Sequence, residues 1–450
     1  MSGGWGGGAD TGVGVGRAVD QVRGGAGRLR GLARDHLARP LYRDGYALIL
    51  STGITSGLGF VFWVLAARLY PAETVGRNSA ALAASILVSG VAQLNLMGAL
   101  LRFLPRAGGA TTRLIAGAYL VPCALAAALG VGFVAGVGRW APELAGLRDD
   151  PRAGAGFVAL AMVWCLAMLG DNVLTALGKT AWVPKQNAAV ALAKIVLLVG
   201  FAGVGPAAAA GWPILMAIGV PLVVAALPVG AIVFLRVAPA HARATADTAE
   251  GIGAAGLARF VAADYAGMLC TMGSTLTLPI LVTEVVGPRE NAYFYQAWLL
   301  ATTLNTVAGN MATSLTVAGA GDPTAAAGHA RAARRQLARL LIVPVIALVV
   351  AAPLALRPFG AEYAAGGATA LRLLALAVPA YAVVVVGLAL ARVRRRMGDV
   401  ILLQALSCAV TLGLAAALAP RFGVAGVAAA WLVAQFVAAA ATLLRERRAA

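Results

Sequence analysis

Apolar and polar positions fall in long blocks along this chain. The first block runs from Tyr46 to Leu65, inside DGYALILSTGITSGLGFVFWVLAARLY. A short polar break, PAETVGR (Pro71 to Arg77), separates it from a second block, AALAASILVSGVAQLNLMGALL, which stops at Arg102 and Arg106. At 1.5 Å of rise per residue, roughly 20 apolar residues cross a bilayer core of about 30 Å. The pair is therefore expected to be a transmembrane hairpin, and the rest of the chain repeats the pattern. The blocks predict twelve spans, at about 46–68, 78–100, 113–137, 155–177, 183–204, 211–235, 260–284, 292–317, 338–356, 368–390, 400–419 and 424–443. Prolines punctuate several of them: Pro213, Pro221 and Pro228 in span six, Pro279 in span seven, Pro344 in span nine and Pro379 in span ten. A proline inside a helix frees a carbonyl and permits bending.

The division of the chain follows from the same pattern. Residues 1–43 hold a Gly-rich start, expected to be disordered, and a basic, weakly amphipathic stretch that suits the inner leaflet. Six spans lie in 44–240 and six in 258–445, either side of a polar Ala/Gly linker at 241–257. A shift of 217 residues superposes Pro71 on Pro288, Ser85 on Thr302, Ser89 on Thr306 and Gln93 on Asn310. The last three pairs are spaced i, i+4, i+8 and share one helix face, so spans two and eight read as equivalents in an internal repeat.

Charge adds an orientation. With the N-terminus on the cytoplasmic side, the expected inner segments hold 26 Lys+Arg and the expected outer loops 8, with Lys194 and Arg372 inside spans. That bias supports twelve spans with both termini cytoplasmic. The chain is 60% hydrophobic and 12% charged, against about 25% charged in a soluble domain, which excludes a large soluble protein. The net charge of +18 would suggest nucleic acid in a soluble chain; its placement here suits membrane orientation and anionic headgroups, so no nucleic-acid partner is expected. Cys123, Cys165, Cys270 and Cys408 all fall in apolar runs without CxxC spacing, and His36, His241 and His329 lie far apart in loops. Neither set suggests a disulfide, a metal site or a catalytic triad. No GxxxxGK[ST] loop is present, so direct nucleotide drive, a cofactor and enzymatic turnover are not expected. The longest expected outer loop, Gly138 to Gly154, reads as a solvated turn.

The opening hairpin, with its "ARLYPAETVGRNSAA" turn and "LLRFLPRAG" ending, resembles polysaccharide flippases (Wzx-like) of the multidrug/oligosaccharidyl-lipid/polysaccharide exporter superfamily. VVGPRENAYFYQAW in the second half resembles the same element again. The resemblance implies an all-α polytopic membrane protein of about twelve transmembrane helices, in two six-helix lobes around a central cavity that opens alternately to each side. It implies a bacterial plasma-membrane location and movement of an isoprenoid-diphosphate-linked oligosaccharide, an O-antigen or exopolysaccharide unit, from inner to outer leaflet. Lipid-linked oligosaccharide and membrane lipids are the implied partners, with polysaccharide polymerase or glycosyltransferases beside them. Two rivals stand: a cation-coupled multidrug exporter of the same fold, and a membrane glycosyltransferase or polymerase.

Ionisable and polar groups within spans are the candidate site, because a charge at a helix centre costs about 2.5–3.5 kcal/mol or more. Lys194 is deepest, in span five. It either pairs with Asp171 of span four to hold that hairpin together or faces the cavity and attracts a diphosphate. Asp264 is a coupling-ion candidate, or else an inner-boundary partner of Arg259. Gln93, Asn95, Asn305 and Asn310 are candidates for hydrogen bonding to sugar hydroxyls, or for bridging helices. Arg68 and Arg102 flank the first hairpin and could serve a phosphate path, or act as topology signals.

Overall fold

A computed structural model describes residues 40–179, 182–204, 211–245, 254–321 and 326–448. The expected disordered start, most of the basic N-terminal stretch and residues 246–253 of the linker lie outside them. The chain divides into two units, Met1–Gly57 and Leu58–Ala450. Of the first, the described part is the beginning of helix α1 (Pro40–Leu69).

Among the described residues every regular element is a helix. After α1 come α2 (Ala72–Ala92), α3 (Leu96–Phe103), α4 (Thr111–Trp140), α5 (Pro151–Ala176), α6 (Trp182–Gly203) and α7 (Pro213–Ile232). A π-turn, Val233–Val237, leads from α7 into α8 (Ala238–Ala244). The second half holds α9 (Ala254–Val285), α10 (Pro288–Gly321), α11 (Ala326–Val350), α12 (Ala352–Leu356), α13 (Ala361–Val393) and α14 (Met397–Arg447). Each expected span falls on one or two of these helices. Eight of the described helical segments are long and apolar enough by composition to cross a membrane. The last of them, α14, holds two expected spans: Gly423 at φ 56°, ψ −139° interrupts it after Pro420. A Cβ on Gly426 would lie 2.5 Å from the Leu418 carbonyl oxygen, so the two halves of α14 approach closely beside that turn.

Local sequence explains the helix ends. Pro151, Pro213 and Pro288 each open a helix, where the missing N–H leaves no bond unmade. Asp150 caps α5 by accepting from the Arg152 N–H at 2.9 Å. Beyond the end of α5, Gly178 takes φ 71°, and the Lys179 N–H closes back on the Leu174 carbonyl at 2.7 Å.

Three expectations are corrected. Span two is not continuous. The helix stops at Ala92, and Leu94 (φ 51°) and Asn95 (φ 54°) both sit in the left-handed region before α3 begins. Two consecutive non-glycine residues there persist only where surrounding packing dictates it. Span nine breaks between α11 and α12 at Ala351. The 138–154 loop is not simply solvated, because Leu144 and Leu147 are fully buried in the core.

Within Leu58–Ala450 the packing differs between the two ends of the helices. At the end carrying Tyr70, one core joins the first and second halves: Trp63, Val75, Leu147, Phe157, Phe294, Phe359 and Trp431 all belong to it. Toward the Arg-rich end the cores separate. One contains Leu104, Ile115, Leu169 and Val173 of the first half only. Two others contain only second-half residues, among them Leu337, Val386, Leu388 and Leu403. Small residues make the central contact possible. Ala80, Ala81, Ala83, Ala84, Ser85 and Ser89 of α2 are all buried, letting α9 and α10 pack against its backbone.

Candidate translocation site

The seam at the Tyr70 end is built on α2 and α10. A Cβ on Gly76 would lie 1.6 Å from the Pro288 carbonyl oxygen, so only glycine fits this crossing. Asn291, fully buried, donates to the Gly76 carbonyl at 2.8 Å and to Ser79 Oγ at 3.1 Å. Asn78, one residue before Ser79, accepts from the Leu215 N–H at 3.0 Å and donates to the Thr74 and Gly211 carbonyls. It thus satisfies an orphan donor at the start of α7 from another helix. Tyr70 donates to the Leu198 carbonyl at 2.7 Å, and burial pushes its hydroxyl above the usual phenol range. Arg77 approaches the Glu143 carboxylate at 3.7 Å, and the Glu143 N–H donates to Glu284 Oε2 at 3.1 Å. The halves also meet further along α2. There the Tyr265 hydroxyl donates to the Val91 carbonyl at 2.6 Å, and Gly90 makes room for Met272.

Arg68 belongs to this closed end. Its exposed guanidinium donates to the Pro358 carbonyl at 2.7 Å and the Arg357 carbonyl at 2.9 Å, tying α1 to the turn before α13. Both of these donor groups are committed to the turn. Gln93 is buried where α2 ends. Asn95 stands half-buried at the break, before α3. Between α3 and α4 an apolar groove of about 580 Å³, lined by Leu96, Leu100, Phe103 and Leu114, has Arg113 on its wall. The Arg102 and Asp264 side chains lie outside the described residues; their positions fall on α3 and α9.

Lys194 and Asp171 do not pair. The Asp171 carboxylate accepts from Asn187 Nδ2 at 3.2 Å, and its other oxygen is buried with no partner. Asn187 on α6 reaches it first, because it lies nearer than Lys194 to the α5–α6 turn. The Lys194 ammonium instead sits over the Trp164 ring, 5.7 Å from its centroid, a cation–π distance. Trp164 is a partner the sequence did not suggest, since an aromatic in an apolar run carries no signal of its own.

The second half exposes polar groups where the first half buries them. On α10, Thr303, Thr306, Asn310, Thr313 and Ser314 are all exposed, and their spacing puts them along one face. Each hydroxyl donates to a carbonyl one turn back, at 3.0–3.1 Å, and keeps its lone pairs for accepting. Asn310 lies in this exposed row. Asn305 is half-buried, with its carbonyl oxygen enclosed and unpartnered. Beside the row, a cavity of about 240 Å³ lies between α9, α10, α13 and both halves of α14. Its walls carry Thr271, Ser274, Thr313, Gln404, Ser407 and Gln435. Gln404 donates to Thr271 Oγ1 at 2.8 Å, and Gln435 to Ser407 Oγ at 3.3 Å. Gln404 and Gln435 both lie within expected spans, so averaged hydropathy hid a signal that residue type could have supplied. Among the described residues no cluster of three His, Cys, Asp or Glu could hold a metal ion.

No family model matches the sequence, and no curated protein does. Solved structures do match. An inward-facing multidrug resistance MATE family transporter of the MOP superfamily gives a TM-score of 0.61 at 16% identity, over 88% of this chain and 93% of that one. The lipid II flippase MurJ in an inward closed conformation gives 0.66 at 12% identity, over 89% and 87%. A MOP superfamily transporter from Pyrococcus furiosus, described as having a binding pocket of reversed polarity that suggests a different function, gives 0.55 at 15%, over 88% and 92%. The chain is therefore an all-α, multi-span membrane protein with the fold of MOP-superfamily transporters and flippases.

Proposed function

We propose that this protein moves an isoprenoid-diphosphate-linked oligosaccharide, of the O-antigen or exopolysaccharide class, from the cytoplasmic to the outer leaflet by alternating access. The observation that carries the reading is the exposed, uncharged polar row of α10, Thr303 to Ser314. A membrane helix presents such a face to a water-filled passage, not to lipid. Hydroxyls and an amide without a carboxylate suit a cargo of neutral hydroxyl groups. Lys194, with a tryptophan and, among the described residues, no carboxylate paired with it, suits an anionic diphosphate. In this reading the lobes are 44–240 and 258–445, the Arg-rich end and both termini are cytoplasmic, and the Tyr70 seam is the closed outer gate. MurJ, described as a lipid II flippase, offers an analogy for lipid-linked cargo, and the Pyrococcus protein one for a pocket of reversed polarity. Polymerase or glycosyltransferase partners would act on the delivered unit.

One observation favours the rival, a cation-coupled multidrug exporter: the unpartnered buried oxygen of Asp171 in the first half. The test separates them. Purified protein in liposomes is given a fluorescent undecaprenyl-diphosphate oligosaccharide, and its appearance in the opposite leaflet is followed. Wild-type translocation, lost in Lys194→Ala and slowed in Asn310→Ala, supports the proposal. Efflux of cationic dyes without movement of the lipid-linked sugar, abolished in Asp171→Asn, overturns it.

A further inference from the structure

We infer that the cavity between α9, α10, α13 and α14 is a sugar-ring subsite, separate from the Lys194 position, that holds one pyranose of the translocated glycan. It rests on the functional reading above and adds a location and a chemistry to it. The cavity, about 240 Å³, lies in the spanning part of the second half, where polar groups are costly unless they are used. Four helices nevertheless converge hydroxyls and amides on it. Ser274 (4% exposed), Gln404 (8%) and Gln435 (2%) are buried, and Thr313 continues the exposed row of α10 into the cavity wall.

The donor set selects the ligand class. Among the described residues the cavity lining carries hydroxyls and amides and no carboxylate, which favours a neutral polar ligand over a metal or organic cation. Hydroxyls that already donate to backbone carbonyls, such as Thr275 and Thr313, remain acceptors, while amide nitrogens remain donors. Such a wall complements a ligand whose every group both donates and accepts, as a sugar hydroxyl does. Tyr381 and Trp431, with ring centroids 6.5 Å apart and planes 32° from parallel, supply the flat apolar surface that the C–H face of a pyranose packs against. Trp431 is itself held by Trp298, edge to face at 4.8 Å, so that surface is fixed in place.

The test is saturation-transfer NMR on the full-length protein in detergent. The probes are methyl glycosides of glucose, galactose, mannose, rhamnose and N-acetylglucosamine at millimolar concentration. At least one glycoside is expected to receive saturation from the wild type. Its apparent affinity is expected to fall about fivefold in Gln435→Leu and in Thr313→Val, the worth of one neutral hydrogen bond. It is expected to be unchanged in Lys194→Ala. Thr313→Val removes an exposed hydroxyl and should leave the unfolding midpoint at the wild-type value, so a lost signal there is not misfolding. No saturation of any glycoside, undiminished affinity in both variants, or stabilisation by sodium chloride that both variants abolish would each overturn the subsite. Wild-type translocation with undiminished affinity in the variants would sink the subsite and leave the function standing. Affinity lost in the variants, with no translocation by the wild type, would sink the function and leave the subsite.

Discussion

Gly76 is the sharpest place to test the α2–α10 seam. Replacing it with alanine would put a methyl 1.6 Å from the Pro288 carbonyl oxygen and 2.6 Å from its carbon, where real contacts do not fall below 3.0 Å. Backbone meets backbone here, so no side chain can swing aside. The helices must separate by about 1.4 Å, the shortfall between those distances. The Asn291 bond to the Gly76 carbonyl starts at 2.8 Å and would stretch to about 4.2 Å, beyond any hydrogen bond. Overpacking costs about 1–3 kcal/mol, and a buried amide stripped of its partner about 1–3 kcal/mol. Gly76→Ala should therefore lower stability by about 3 kcal/mol, read from the unfolding transition of the purified protein in mild detergent. Asn291→Ala removes the same bond from the other side, so the double variant should cost about 1 kcal/mol less than the sum of the singles. A Gly76→Ala protein within about 0.5 kcal/mol of wild type, or strict additivity in the double variant, would refute the seam as described.

The other predictions follow the same logic. Asn78→Ala leaves the Leu215 N–H unpaired inside the bundle and should cost about 2–4 kcal/mol in the same unfolding assay; Asn78→Asp, which keeps the acceptor, should recover part of it. Arg68→Ala removes two bonds from an exposed guanidinium and should cost less than about 1 kcal/mol, while hydrogen exchange around residues 357–360 rises. Ser89→Ala should lower stability by about 1 kcal/mol, because the Ser89 hydroxyl reaches the Ala161 carbonyl of α5 at 2.7 Å. Its counterpart Thr306→Val should leave stability within about 0.5 kcal/mol and slow translocation in liposomes, since Thr306 is exposed on the polar face of α10.

Topology was legible because the bilayer imposes its length on every apolar block. Each expected span lies on one or two helices, and Pro213, read as lying inside span six, instead opens its helix. Interruptions were not legible. Nothing in GVAQLNLMG marks Leu94 and Asn95 as left-handed, because that conformation is imposed by neighbours distant in sequence and not by local preference. The 138–154 loop misled for a related reason: its three arginines and three acids mask Leu144 and Leu147, which anchor it in the shared core.

The candidate site shows where reading by residue type stops. Lys194 and Asp171 sit at helical positions that permit a pair, yet Asn187 takes the carboxylate and Trp164 the ammonium. Sequence spacing limits which groups can meet but does not choose among several neighbours within reach. The repeat makes the same point across the whole chain. Ser85 and Ser89 align with Thr302 and Thr306, and each stripe follows one face of its helix. In the first half the stripe is fully buried and Ser89 binds α5; in the second, Thr306 and Asn310 are exposed. The pattern is the same in both halves. The difference lies in what packs against each helix: α5 covers the stripe of α2, whereas the corresponding face of α10 turns outward. Divergence of the neighbours, with the stripe itself kept, is enough to make one copy a buried seam and the other an exposed polar face.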